Sequence, residues 1–152
     1  MSLTTPIRSG CACGAIRYES SEQPLFTWLC RCQDCRKATG SAVAANVFFT
    51  PSAMKFTGSE SKSYRTTDLS GQSLHHLFCP NCGSPIGTQA DAFPIMRGVR
   101  ASSIDDPSGL KPMANVWNCS ALPWNRLDPD LLQFETQPNE EEFGRIMEAW
   151  AK

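Results

Sequence analysis

Residues 79–83 read CPNCG. Pro80 presets φ for a tight turn, and Gly83 tolerates the positive φ that lets amides turn toward the sulfurs of Cys79 and Cys82. Such a pair is half of a tetrahedral thiolate site, and it needs a second pair. Residues 11–14, CACG, provide one: side chains alternate faces along an extended segment, so Cys11 and Cys13 point the same way. Together the two pairs make a closed four-cysteine site that ties the first strand to the middle of the chain. Four protein ligands are the pattern of structural zinc. Four thiolates also suit iron, but no motif for an electron-transfer partner accompanies them, which favours zinc.

The rest of the chain fits one metal-tied domain. At 152 residues it is long enough for a single core, taken here as residues 4–152. Fourteen basic against fifteen acidic residues give no field that would draw nucleic acid or an anionic membrane, so neither is expected as a partner. The opening MSLTTPIRSG has no apolar targeting core, and no run reaches the roughly 18 apolar residues of a membrane span. A cytoplasmic location is expected. In a reducing compartment eight cysteines need a reason other than disulfides, and metal is the usual one.

Short stretches with β-branched and aromatic residues, among them AIRYE, LFTWLC, VAANVFF, LHHLFC and PMANVWN, alternate with turns rich in glycine and proline. This pattern predicts a mainly β domain. The exception is NEEEFGRIMEAW, where Asn139 precedes Glu142 by three residues as in a capping box, and Phe143, Ile146, Met147 and Trp150 recur at helical spacing. An amphipathic helix over about 140–151, packed on the sheets, is expected. A helical turn is also expected after Cys35, in RKATG, ending at Gly40.

Residues 29–37, LCRCQDCRK, are a different kind of cluster. Cys30 and Cys32 share a face at the end of a predicted strand, and Cys35 follows in a turn, so one short segment offers three thiolates to one metal. Three protein ligands with an exchangeable fourth position are the catalytic pattern of zinc. Cys119, the unpaired eighth cysteine, is therefore decisive: free, it leaves the site open, and as a ligand it closes it. Arg31, Arg36 and Lys37 can offset the negative charge of three thiolates on zinc or grip substrate carboxylates, and Arg36 is the candidate for that role. Ser41 and Asn46 follow the cluster and receive no catalytic role. His75 and His76 are neighbours in a predicted strand, so at most one approaches a given site, and no general base is evident. Trp117 and Trp124 flank Cys119 and are read as packing residues.

The elements GCACGAIRY, CRCQDCRKATGS, VFFTPSAMKFTG, FCPNCGSPI and SALPW, spread over residues 7–136, resemble the glutathione-dependent formaldehyde-activating enzymes, whose domain is shared with centromere protein V. The resemblance implies an Mss4-like fold of several small antiparallel sheets around zinc. It implies Cys11, Cys13, Cys79 and Cys82 as structural zinc ligands, and Cys30, Cys32 and Cys35 as catalytic ones. Two zinc ions per chain follow, the second open to loss or partial occupancy. The implied activity joins glutathione, or a related thiol, to formaldehyde or another small electrophile, formally the reverse of a carbon–sulfur lyase. Arg31 stands where the family often has histidine, and Cys119 is additional. The alternative is a non-enzymatic zinc module for protein interaction, with both metals structural.

Overall fold

The computed structural model describes residues 2–67 and 71–152. The elements are β1 (Ile7–Gly10), β2 (Ile16–Ser20), β3 (Phe26–Cys30), α1 (Gln33–Thr39), β4 (Ala44–Phe49), β5 (Met54–Gly58), β6 (Lys62–Thr67), β7 (Ser73–Phe78), β8 (Pro85–Ala90), β9 (Arg97–Arg100), β10 (Ala114–Val116), β11 (Leu132–Gln133) and α2 (Glu140–Trp150). The fold is mainly β, as expected. Among the described residues the strands form two sheets: a small one in the order β1-β2-β5, and a large one in the order β11-β10-β3-β4-β9-β8-β7-β6. Pairing is antiparallel except at β10, which runs parallel to β3 and to β11.

Strand alternation divides the side chains of the large sheet into two cores. Val47, Phe49 and Val99 face the small sheet and pack with Ile7, Ile16 and Tyr18. Phe26, Trp28 and Phe48 point to the opposite face and form the second core. Helix α2 covers that face: Ile146 is fully buried, and the Phe143 ring meets Phe26 edge-on at 5.1 Å. The capping box is formed, with Asn139 Oδ1 accepting from the Glu142 amide and Glu142 Oε2 accepting from the Asn139 amide, each at 2.9 Å. Leu3 lies ahead of the expected domain's first residue, yet it is buried in the first core. No described helix is long and apolar enough to cross a membrane.

Helix α1 starts earlier than the sequence suggests. Cys32 is its N-cap, and Cys32 Sγ accepts the Cys35 amide at 3.3 Å. Sulfur here does the work of the usual serine or aspartate oxygen, which places Cys35 in the first turn. The helix ends at Gly40, whose φ of 66° and hydrogen bond to the Arg36 carbonyl stop it as expected.

Candidate metal centre

Two hairpins bring the first four cysteines together. Cys11 and Cys13 lie in the β1–β2 turn of the small sheet, and Cys79 and Cys82 lie in the β7–β8 turn of the large one. Gly14 and Gly83 close the two turns at φ of 77° and 76°. All four sulfurs lie within 4.8 Å of one another. Cys11 Sγ stands 3.6 Å from Cys13 Sγ, and Cys13 Sγ stands 3.9 Å from Cys79 Sγ. Tetrahedral zinc, with bonds of about 2.3 Å, asks for sulfurs about 3.8 Å apart. The surroundings suit thiolates: the Ile16 amide donates to Cys11 Sγ at 3.2 Å, and Asn81 Nδ2 donates to Cys13 Sγ at 3.1 Å. Hydrogen bonds from the Ser84 hydroxyl and amide pull the Cys82 thiol down to about 5.

Cys30, Cys32 and Cys35 form the second group, again with sulfurs within 4.8 Å of one another. Cys30 ends β3, Cys32 caps α1, and Cys35 is on α1. Cys30 and Cys35 are buried, and Cys32 is half-buried. Among the three, Cys35 is held well below the usual thiol range by hydrogen bonds from Cys30 and Cys32, assisted by the Arg100 guanidinium. Cys30 is pushed well above it by its hydrogen bonds to the same two neighbours and by burial. Three thiolates this close do not all ionise without a cation among them, so the donor set and spacing fit a metal ion.

Cys119 does not join this group. It is exposed, although β10 pairs Val116 directly with Cys30. The cause is local backbone: buried Trp117 adopts φ 61°, a left-handed conformation rare for an aromatic residue, and turns the chain into a 3-10 turn over Asn118–Ser120. Cys119 Sγ lies 3.7 Å from Ser120 Oγ. Trp124, the other flanking tryptophan, is 73 % exposed.

The cations of LCRCQDCRK are placed unequally. Arg31 is buried one residue out of phase with Cys30, and its Nη1 donates to Asn115 Oδ1 of β10 at 2.6 Å. Lys37 is exposed, and Arg36 is half-buried with a buried Nε that has no partner. The side-chain N–H groups directed at the trio come instead from two strands of the large sheet, β4, which follows α1, and β9, which is distant in sequence. Arg100 Nη1 lies 3.6 Å and Asn46 Nδ2 3.9 Å from Cys35 Sγ. Arg100 Nη1 also donates to Asn46 Oδ1, its cross-strand neighbour in the β4–β9 pair. His76 is buried on this side, with Nδ1 3.4 Å from Arg100 Nη2 and Nε2 3.0 Å from Thr66 Oγ1, and Tyr64 stacks on its ring at 5.0 Å. His75 bonds Asp91 at 2.9 Å near the surface. Arg100 sits in the plain strand RGVR, where no motif marks it; only the strand register shows what it faces.

The family model described as "Glutathione-dependent formaldehyde-activating enzyme" matches residues 6–120, a span that contains all eight cysteines. Among solved structures, the crystal structure of a Rhodobacter sphaeroides protein is similar with a TM-score of 0.52 and 22 % identity, covering 70 % of this chain and 92 % of that one. At that identity the likeness bears on the fold. No curated protein matches the chain.

Proposed function

The chain belongs to the glutathione-dependent formaldehyde-activating enzyme family, and from that premise we propose that it is a zinc-dependent carbon–sulfur lyase-type enzyme working in the synthetic direction. Its substrates are glutathione or a related thiol and formaldehyde or another small electrophile. In the reaction a sulfur–carbon bond forms, the carbonyl π bond opens, and the proton of the thiol ends on the oxygen. The observation that carries this reading is the trio of Cys30, Cys32 and Cys35, whose three sulfurs converge while Cys119 stays outside. Zinc bound there would supply positive charge that ionises a thiol or polarises a carbonyl oxygen. Cys11, Cys13, Cys79 and Cys82 hold a second, structural zinc.

The protein's own groups do the remaining work. Cys30 and Cys35 lie in the second core, away from bulk water, and Cys32 at its edge gives the substrate an approach. Arg36, one residue past Cys35, is half-buried, and its guanidinium is of the kind suited to a substrate carboxylate. Cys32→Ser tests this directly. Formation of the thiol–aldehyde adduct, followed by NMR, is expected to fall by more than the roughly 100-fold typical of changes beside a metal's ligands, while the circular dichroism stays native. Activity that survives loss of that zinc would end the mechanism. Cys119→Ser is expected to leave two zinc ions per chain; a fall to one would favour a closed, non-catalytic module.

A further inference from the structure

Arg100 is 2 % exposed, among the most buried side chains of the protein. A guanidinium removed from water ordinarily faces a carboxylate, because an unpaired buried charge is expensive. Arg100 has no such partner: among the described residues the ion pairs are Arg17–Asp105 and His75–Asp91, and Arg100 Nε makes no hydrogen bond. Its contacts are Asn46 Oδ1, His76 Nδ1 and Cys35 Sγ. Asn46 is neutral. So is His76 in this arrangement: arginine can only donate, so Nδ1 accepts, and Nε2–H is left to donate to Thr66 Oγ1. Burial also holds the imidazole below its ordinary pKa. Of the three partners, the sulfur is the one able to carry a full negative charge.

We propose that Arg100 is a positioning residue, the buried counter-ion of the Cys30, Cys32 and Cys35 set, which cancels the net negative charge of three thiolates on a divalent metal and so suits the site to an anionic fourth ligand such as a thiolate. The proposal rests on the reading of the trio as a metal site. Asn46 serves the same end, since Oδ1 holds the guanidinium and Nδ2 points at Cys35 Sγ. Cross-strand pairing of Asn46 with Arg100 places both on the face of the sheet that carries Cys30, which is two residues along β3 from Trp28, the β3 partner of Asn46.

The experiment compares the full-length wild type with Arg100→Met, Arg100→Lys and Asn46→Asp. Each chain is loaded with cobalt(II) and titrated with a chromophoric chelator, and 2-mercaptoethanol and imidazole are then tested as fourth ligands through the visible bands. Arg100→Met is expected to weaken metal binding at the trio by roughly 10- to 100-fold and thiol binding more than imidazole binding, with the four-cysteine site unchanged. Arg100→Lys, which keeps the charge without the fork, should fall between. Asn46→Asp keeps the arginine but gives it a carboxylate, so it should weaken the trio in the same direction in a chain whose retained four-cysteine metal reports folding. It also stands in if Arg100→Met does not fold. A wild type that binds a single metal ion would overturn the metal reading and this proposal together. Two ions in the wild type, with unchanged affinity in the variants or equal losses for thiol and imidazole, would overturn this proposal alone.

Discussion

The two cysteine clusters use one donor chemistry in opposite surroundings. The four-cysteine cluster is built from two turns, and its sulfurs take hydrogen bonds from groups close in sequence to one pair or the other, such as Ile16, Asn81 and Ser84. Cys13 and Cys82 are exposed. The three-cysteine cluster is embedded between β3 and α1, and the side chains directed at it, Asn46 and Arg100, come from strands brought together by the large sheet. A cluster with a full ligand set needs little from the rest of the fold. One with three ligands would, on the proposal above, draw its charge balance from Arg100, a residue 65 positions from Cys35 in the chain.

The most damaging way to break the comparison is Cys79→Ser. Cys79 is fully buried where the small sheet meets the large one. Structural zinc contributes about 10–16 kcal/mol to the folding of small zinc domains at neutral pH. That is comparable with the whole usual net stability of a domain, about 5–15 kcal/mol. The variant, or the wild type stripped by a strong chelator, is expected to lose its cooperative thermal transition by circular dichroism. A native melt in the variant or after chelation would show that the two sheets hold together without a metal tie.

Ile146→Ala probes the other region. Ile146 is fully buried in the second core, which also contains Cys30 and Cys35. Truncation of a buried isoleucine costs about 2–5 kcal/mol, depending on how far the cavity collapses. The denaturant midpoint should fall accordingly. Because the four-cysteine cluster belongs to the opposite core, its metal should be retained until global unfolding, whereas the trio should release metal faster. Equal release from both clusters would show that the two cores do not behave independently.

What could be read from the sequence follows the same division. Cys11 and Cys13 were grouped by strand alternation, whereas the structure puts them in a turn that Gly14 closes. The pair in CPNCG was legible as a turn of a few residues with its glycine in place, and the capping box at Asn139 and Glu142 is likewise local. The grouping of Cys30, Cys32 and Cys35 was legible for the same reason. Arg100 was not: its meaning depends on the register of β4 with β9, strands far apart in the chain, and on β7, which brings His76 to it from across β8. The exposure of Cys119 was hidden in one backbone angle at Trp117, for which no residue type in the segment is a marker. The parallel pairing of β10 was equally unmarked, since β10 has three residues and its partner β3 is far from it in the chain.

The finest test concerns the arginine near each cluster. Arg17 follows the first cluster in β2 and makes a two-pronged pair with Asp105, with side chains 40 % and 46 % exposed. The pair holds the Asp105 carboxyl below its ordinary range, chiefly through the hydrogen bond from Arg17. A depressed carboxyl contributes stability above its unfolded value, near pH 3.9, and loses it as the pH falls through the folded value. Asp105→Asn should therefore cost less than about 1 kcal/mol at pH 7, screened further by salt. Its difference from the wild type in urea midpoint should begin to shrink as the pH falls below about 4 and vanish once the pH is below the lowered, folded value. Arg17 can lose its carboxylate at little cost because bulk water takes over, whereas Arg100 is buried and on the proposal above relies on the charge of the cysteines. A large loss in Asp105→Asn would mean that the four-cysteine cluster also leans on its arginine, and the contrast between a self-contained cluster and a dependent one would narrow to a difference of burial.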